Sequence, residues 1–475
     1  MIFSSLVFLC VFLPVTYILY TVLPGVRAKN GLLIAASLLF YAYGEPVFIV
    51  LIICSSFINY CFARLIAGAG RQKRFFLVLS LILNFEILGI FKYSAFLAET
   101  VSRLFHINLQ CPEIPLPVGI SFFTFQAVSY VIDVYSGKVQ AQKSFWKVLL
   151  YISFFPQLIA GPIVKYRDIS EAIEGRTQDA GQTAQGMRRF ICGLAKKVFL
   201  ANAMGMAADQ IFGANLQDIN MAAAWLGAVS YMLQIYYDFS GYSDMAIGLG
   251  KMFGFSFKEN FQYPYGAVSV KEFWRRWHIS LSDWFKEYLY IPLGGNRKGR
   301  LRAVFNRMLV FFLTGLWHGA DWTFVLWGVY HGVLLLIEEA LPFMKKLPGW
   351  LAHLYTLLAV CVGFVMFRAD TVSQGFYFIR QMFTGSVGGA SSQSLVWSQL
   401  TPHFLVMLVV AVIGAAPIRL PADRIRSRLS REEEEPTGKG TLLQTGLYAA
   451  SFLLLTWCMV RLSGSTYNPF IYFRF

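Results

Sequence analysis

The chain has 475 residues, of which 56% are apolar and 17% aromatic but only 14% charged, against about 25% charged in an ordinary soluble domain. So little polar surface cannot coat a water-soluble particle, which leaves a polytopic membrane protein. The net charge of +15 does not point to nucleic acid, because the basic residues sit in short runs between apolar segments, outside any soluble nucleic-acid-binding framework, as in loops on the cytoplasmic face of a membrane.

Residues 1–23 are apolar almost throughout, with neither a basic leading region nor a small-x-small cleavage site, and read as a retained first transmembrane helix. On a ruler of about 20 apolar residues per 30 Å of hydrocarbon, further spans are expected near 47–65, 75–90, 118–134, 146–164, 222–252, 308–341, 351–367, 404–416 and 442–462. The segment 32–43 is short for a span, and 190–212 reads as a partial or re-entrant piece. The fold expected is all-α, with roughly ten to twelve membrane segments in one membrane domain over 1–462 and a tail at 463–475.

Loop charge orients this domain. Arg27 and Lys29, then Arg64, Arg71, Lys73 and Arg74, then Arg419, Arg424, Arg426, Arg428, Arg431 and Lys439 make these links basic. The four glutamates at 432–435 do not count against them, because the rule weighs Lys and Arg. These links belong in the cytoplasm, which puts the N-terminus and the tail outside. Two polar stretches interrupt the middle. Residues 165–197 read as a loop leading into an amphipathic surface helix. Residues 258–302 carry nine basic against four acidic residues, interleaved with Trp274, Trp277, Trp284 and Tyr288, a pattern suited to helices in the cytoplasmic headgroup layer.

The seven cysteines, Cys10, Cys54, Cys61, Cys111, Cys192, Cys361 and Cys458, are odd in number and form no CxxC pair, so neither a disulfide framework nor a metal site is indicated. No fixed-period repeat appears, which disfavours a repeat-built transporter. Neither a Gly-rich phosphate loop nor a G-x-S-x-G elbow is present.

Histidine carries the chemical signal. His278 lies in Trp274-Arg275-Arg276-Trp277-His278-Ile279-Ser280, His318 in Gly315-Leu316-Trp317-His318-Gly319, and His331 in Trp327-Gly328-Val329-Tyr330-His331-Gly332. From Arg307 an almost unbroken apolar run leads to His318, and at 1.5 Å per residue that is about 15 Å, half the hydrocarbon thickness. An ionisable group at that depth marks a functional site unless it simply hydrogen-bonds a backbone carbonyl. Gly315, Gly319 and Ala320-Asp321 allow the helix to break beside it. His331 and His278 are as compatible with structural or interfacial roles. His278 and Asp283 have the H-x4-D spacing of some glycerolipid acyltransferases, but on a continuous helix through 274–288 they would point about 140° apart, so the pair carries little weight.

These segments, together with Leu116-Pro117-Val118-Gly119-Ile120-Ser121-Phe122-Phe123-Thr124-Phe125-Gln126, Phe155-Pro156-Gln157-Leu158-Ile159-Ala160-Gly161-Pro162-Ile163 and Tyr236-Tyr237-Asp238-Phe239-Ser240-Gly241-Tyr242-Ser243-Asp244-Met245-Ala246, resemble the membrane-bound O-acyltransferase (MBOAT) family. The likeness covers most of the chain and is nearest to the bacterial branch with alginate O-acetylating and teichoic-acid D-alanylating members. It implies a ring of tilted helices around a thinned centre in the bacterial cytoplasmic membrane. It makes His318 the essential histidine at the bottleneck of a through-membrane tunnel, with His278 supporting it nearer the cytoplasm. No bound cofactor is implied; the donor would be a cytoplasmic acyl thioester, acetyl-CoA or an acyl carrier protein, and acetyl is the favoured group.

The C-terminal Phe470-Ile471-Tyr472-Phe473-Arg474-Phe475 is similar to the tail of a small companion protein in teichoic-acid D-alanylation, which would make Tyr472 a transient acyl carrier. A phenol of pKa about 10 leaves an ester more readily than an alkoxide. The alternative is an interfacial aromatic anchor. The scheme expected is a donor held by Arg275, Arg276, Lys286, Arg297 and Lys298, His318 as general base on Tyr472, and Asp238, Asp244 and His331 as candidates for support. The acyl group would pass to a serine of an extracytoplasmic SGNH-hydrolase-like partner and then to a cell-envelope polysaccharide. The basic residues also fit the positive-inside rule alone, and the aspartates also fit helix packing. A lipid-modifying acyltransferase and a polysaccharide or ion transporter are the competing classes.

Overall fold

A computed structural model describes residues 1–475 except 110, 113, 342, 343, 345, 387, 388, 417–437 and 471–475, with the side chains of 390 and 438–443 also set aside. The described residues form helices and no strands: α1 (Leu13–Val22), α2 (Gly25–Ala42), α3 (Ile49–Gly68), α4 (Lys73–Leu88), α5 (Ser94–Phe105), α6 (Ile120–Tyr135), α7 (Phe145–Ser153), α8 (Phe155–Leu158), α9 (Tyr166–Glu174), α10 (Ala180–Ala195) and α11 (Asn202–Phe212). There follow α12 (Met221–Met252), α13 (Val270–Arg276), α14 (Ile279–Phe285), α15 (Arg300–His318), α16 (Trp322–Ala340), α17 (Gly349–Arg368), α18 (Val372–Thr384), α19 (Ala390–Gln399), α20 (Pro402–Ala415) and α21 (Gly438–Gly464). Among the described residues six helices are long and apolar enough to cross a membrane, or seven if the α19–α20 pair, bent by 69°, is one span. Of the other expected segments, 222–252 is the continuous 32-residue α12, and the rest are shorter or broken helices, two of them apolar at Phe8–Val22 and Ile120–Tyr135. Valine, leucine and phenylalanine side chains on α1, α3, α4, α20 and α21 are exposed, as a lipid-facing wall requires.

Several expected segments are broken, each for a local reason. The run 146–164 is not one span: α7 ends at Phe154, whose ψ of 113° and following Pro156 stop the helix. The chain through Phe154 to Val164 is buried throughout. Irregular backbone at that depth needs internal partners, and it has them: Phe155 N donates to Ser37 Oγ at 3.0 Å, Ile163 N to Ser280 Oγ at 3.0 Å, and Tyr151 OH to Val164 O at 3.0 Å. Gly119, at φ +79°, lies so close to this strip that a Cβ there would meet Leu158 O at 2.8 Å, which explains the glycine after Leu116-Pro117-Val118.

Residues 190–212 are the second half of a 33-residue apolar helix running from Ala180 to Phe212, not a separate re-entrant piece. Only α9 of the 165–197 stretch is a short amphipathic helix; α10 enters the core and buries Phe190, Ile191 and Leu194. It packs along α12, where Gly186 faces Gly248 and Gly193 faces Gly241, so that added Cβ atoms at Gly186 or Gly193 would sit 2.5 Å from the opposing carbonyls. Seven-residue spacing on both helices keeps these glycines on one seam. The run 308–341 splits into α15 and α16, held together by Gly315 against Phe324 O and Gly328 against Phe311 O.

Candidate functional site

His318 is the last residue of α15. Gly319 continues in extended conformation, and the Asp321 carboxylate caps α16 by accepting from Thr323 N at 2.8 Å, so the helix ends where the glycine and the capping aspartate allow. A terminated helix leaves its last carbonyls without partners. Here two neighbouring side chains supply them: Tyr93 OH donates to Leu316 O at 2.8 Å, and Lys92 Nζ donates to Trp317 O and to His318 O, the latter at 3.2 Å. Lys92 sits in a π-helical turn, Gly89–Tyr93, between α4 and α5. The imidazole of His318 is 7% exposed, and neither ring nitrogen has a hydrogen-bond partner among the described residues. Trp317, Trp327 and Phe367 enclose it with ring centroids 5.0, 5.2 and 5.3 Å away.

His278 approaches from the other side, its ring 6.3 Å from that of His318. The segment 274–288 is not one helix: His278 has φ 43° and ψ 54°, and breaks the chain into α13 and α14. That kink turns the imidazole inward while Asp283 stays exposed, so the H-x4-D pair is not assembled. Asn260 Oδ1 accepts from Ser280 N at 3.1 Å and Ser280 Oγ at 2.8 Å, and Asn260 Nδ2 donates to Ser243 Oγ at 3.2 Å. The amide oxygen is therefore the atom facing His278 Nδ1 at 3.2 Å. This assigns the proton to Nδ1 and leaves Nε2, which has no partner among the described residues, with a lone pair.

His331 has a different setting. Trp274 Nε1 donates to its Nδ1 at 3.3 Å, the Trp327 ring lies 5.2 Å from it and from His318 alike, and a Cβ at Gly363 would touch His331 Nε2 at 2.8 Å. Packed on both ring nitrogens and screened by Trp327, it sits beside the histidine pair rather than in it.

Two cavities lie near His318, which lines the smaller. The larger, about 820 Å³, lies on the side of the basic 258–302 segment and is lined by Trp274, Arg275, Lys286, Arg307, Thr314 and Glu338 among others. Thr314 is one helical turn below His318, so this cavity rises to the foot of the site. Of the five expected donor clamps, Arg275 and Lys286 line it. Arg276 instead pairs with Glu272, and Arg297 and Lys298 are exposed and do not line the cavity, although the adjoining Asn296 does. The smaller cavity, about 210 Å³, is lined by Lys92, residues 116–122, Ile159, Trp317 and His318.

The aspartates do not face the imidazoles. Asp244 accepts from Arg189 at 2.8 Å and Lys196 at 2.6 Å, bolting α10 to α12. Asp238 pairs with Lys197 at 2.8 Å, one residue before Phe239, whose ring meets His278 edge-on at 4.6 Å. The tail folds back onto this part of the molecule. Tyr467 OH donates to Asp209 Oδ2 at 2.6 Å, Asn468 Nδ2 donates to Ser4 O at 2.9 Å, Pro469 O accepts from Lys197 Nζ, and the buried Phe470 packs on Tyr242 at 4.7 Å. Tyr472 itself lies outside the described residues.

Residues 139–369 match the model of the MBOAT, membrane-bound O-acyltransferase family. The chain is 37% identical over 505 residues to the probable alginate O-acetylase of Azotobacter vinelandii, covering 100% of both. The chain belongs to the membrane-bound O-acyltransferase family. This O-acyltransferase is also 36% identical to the peptidoglycan O-acetyltransferase of Helicobacter pylori over 80% of each chain, and 29% identical to the teichoic acid D-alanyltransferase of Bacillus subtilis over 53% of this chain and 68% of that one. It is an acyltransferase and a multi-pass membrane protein. The family match spans His278, His318 and His331 and the breaks at 154–164, 278 and 319–321, while Lys92 and the tail lie outside it.

Sequence reasoning missed Lys92 and Asn260. Lys92 fell just past a span ended at 90; carrying the apolar run through Tyr93 and Phe96 would have exposed it as a lone intramembrane cation. Asn260 is an isolated polar residue in a loop, and nothing in its neighbourhood announces a contact with a histidine 18 positions on.

Proposed function

We propose that this enzyme O-acetylates an extracytoplasmic polysaccharide with an acetyl group taken from a cytoplasmic thioester, in the bacterial cytoplasmic membrane. One observation carries the reading: His318 and His278 are buried 6.3 Å apart with ring nitrogens unpartnered among the described residues, His318 lining a small cavity while a large one bearing Arg275 and Lys286 reaches Thr314, one turn below it. The acetyl group and the polymer class follow from the relatives of high coverage, which are named for alginate and peptidoglycan O-acetylation.

In this reading the donor's thioester enters through the large cavity, with Arg275 and Lys286 toward its anionic handle. His318 takes the proton of the acceptor hydroxyl as that oxygen attacks the acyl carbonyl. The carbon–oxygen bond forms, the carbon–sulfur bond breaks, and the proton leaves with the thiol. His278, oriented by Asn260, supports the neighbouring ring. The acceptor is Tyr472. What supports this is that Phe470, two residues before it, sits on Tyr242, one helical turn from the Phe239 that touches His278. The aryl ester then passes its acetyl group to the serine of a hydrolase-like partner outside, and from there to the polymer.

The test is labelling of membranes with a radiolabelled acetyl donor. Wild type should carry label on the chain and on envelope polymer, Tyr472→Phe neither, and His318→Ala neither. Label on the Tyr472→Phe chain at wild-type level removes the relay, and unchanged polymer acetylation by His318→Ala removes the general base. Acetylated lipid in place of acetylated polymer would favour a lipid-modifying enzyme.

A further inference from the structure

The small cavity above His318 has a polar wall of one sign. Its lining contains Lys92, Ser121 and His318 and no acidic side chain. The ammonium of Lys92 spends its donors on neutral oxygens, Ser121 Oγ at 3.2 Å and the carbonyls of Trp317 and His318, and forms no ion pair among the described residues. Directly beside it is the N-terminus of α6, a 16-residue helix that contributes Ser121 and whose cap, Gly119, offers no side-chain acceptor, the Ile120 and Phe122 N–H groups turning back to Pro117 O and Gly119 O. A helix N-terminus carries roughly half a positive charge, so two positive sources converge on one space. The buried His318 imidazole, with both nitrogens unpartnered, lines that same space.

A neutral ligand has little use for such a wall, whereas a carbonyl oxygen acquiring charge is stabilised by it, more strongly in a water-poor site than in solution. The volume is in keeping: about 210 Å³ is the share of several water molecules, room for a two-carbon acyl group and an attacking hydroxyl but not for a long fatty chain.

The geometry points to this cavity as the oxyanion site of the acyl transfer, in which Lys92 and the first turn of α6 hold the charge that develops on the acyl carbonyl oxygen. The assignment rests on the thioester reading above. As the acceptor oxygen bonds to the carbonyl carbon and its proton passes to His318, the carbonyl π pair moves onto oxygen and faces Lys92. As the pair returns, the carbon–sulfur bond breaks and the thiolate takes the proton from His318. Lys92 acts by charge and keeps its protons throughout.

The experiment compares acetyl-CoA with its dithioester analogue, in which sulfur replaces the carbonyl oxygen, using the purified full-length chain and following thiol release in a single turnover. Sulfur spreads the developing charge and accepts hydrogen bonds poorly, so an oxyanion site counts for less with it. Lys92→Met should slow release from acetyl-CoA about 100-fold and release from the dithioester by less than about 10-fold. Lys92→Arg should keep the wild-type ratio between donors. Tyr93→Phe removes a hydrogen bond from the same end of α15 without touching charge, and should slow both donors equally and modestly. Equal slowing of both donors by Lys92→Met overturns the assignment while leaving the thioester reading in place. A wild-type chain that releases no thiol from either donor overturns both.

Discussion

Lys197 and Asp238 stand 2.8 Å apart with their side chains 3% and 1% exposed, and the same ammonium donates to the carbonyl of Pro469. A buried ion pair is worth little over a well-packed apolar pair, but removing one partner strands the other. Asp238→Ala is therefore expected to destabilise the fold by about 3–5 kcal/mol, whereas Lys197→Met combined with Asp238→Leu recovers most of that loss. Heating in detergent followed by size-exclusion chromatography measures both. The double variant still lacks the cation that holds Pro469, so recovered stability should come with reduced acyl transfer; full activity would mean the tail contact is dispensable.

The two deeply buried histidines of the α15–α16 hairpin should separate in their effects. The His318 ring has no polar partner among the described residues, so His318→Ala should abolish transfer, by at least about 100-fold, with a melting temperature close to wild type. His331→Ala strands the indole N–H of Trp274 and empties a packed position, which costs about 1–3 kcal/mol for the unmet donor alone. It should lower stability first and activity only in proportion to folded protein. A His331→Ala variant that is stable and inactive would move this residue into the reaction.

What the sequence makes legible here is set by how local each cause is. Gly319 and Asp321 terminate α15 and start α16 through their own backbone and side chain, so the break beside His318 can be read from four consecutive residues. The break at His278 cannot, because a left-handed histidine is imposed by Asn260 and by the packing of Phe239 and Trp317, none of which is adjacent in the chain. The same contrast separates Arg275, which lines the large cavity, from Arg297, which does not: both are basic residues in one charged stretch, and only tertiary packing decides which one faces inward. Asp238 and Asp244 lie in the right segment for a site, but they answer to Lys197, Lys196 and Arg189 on α10 and the π-helical turn that follows it, Lys196–Ala201.

The α10–α12 seam gives a sharper packing test. A methyl at Gly193 would lie 2.5 Å from Gly241 O and 2.8 Å from Met245 N, both backbone atoms that cannot swing aside. Gly193→Ala should destabilise by about 1–3 kcal/mol. Gly175→Ala, at a position with open space, should not, and thermal inactivation in detergent compares the two. Equal stability of the two variants would mean that the helices can part at no cost.

On the face expected in the cytoplasm, Glu287 accepts both Arg167 guanidinium nitrogens, at 2.6 and 2.5 Å, and Lys165 at 2.6 Å. The bidentate hydrogen bonds from Arg167 hold its carboxyl far below the usual carboxylate range. A folded-state value below the unfolded one means that this contribution is complete above about pH 4.3 and is lost as pH falls below that toward the folded value. Unfolding followed between about pH 5 and 3 should therefore show a shallower acid loss in Glu287→Gln than in wild type, from a lower starting stability. Identical slopes would assign the acid sensitivity to other groups.

The tail offers the last test, because its docking can be separated from its chemistry. Asn468 reaches Ser4 through three contacts, Nδ2 to O at 2.9 Å, Nδ2 to Oγ at 3.1 Å and Oγ to Oδ1 at 3.4 Å, so cysteines at 4 and 468 should be joined by a short thiol-to-thiol reagent. Joining holds Pro469 and Phe470 in place against Lys197 and Tyr242. If Tyr472 must reach inward to be acylated and outward to deliver, the joined Ser4→Cys, Asn468→Cys protein should still take label from the acetyl donor but deliver less than about a tenth of it to polymer, and a reagent with a reducible link should restore delivery on cleavage. Failure of the cysteines to join would remove the docking of 465–470. Joining with normal delivery would keep the docking and remove the outward movement, and joining without label in either state would remove Tyr472 as the carrier.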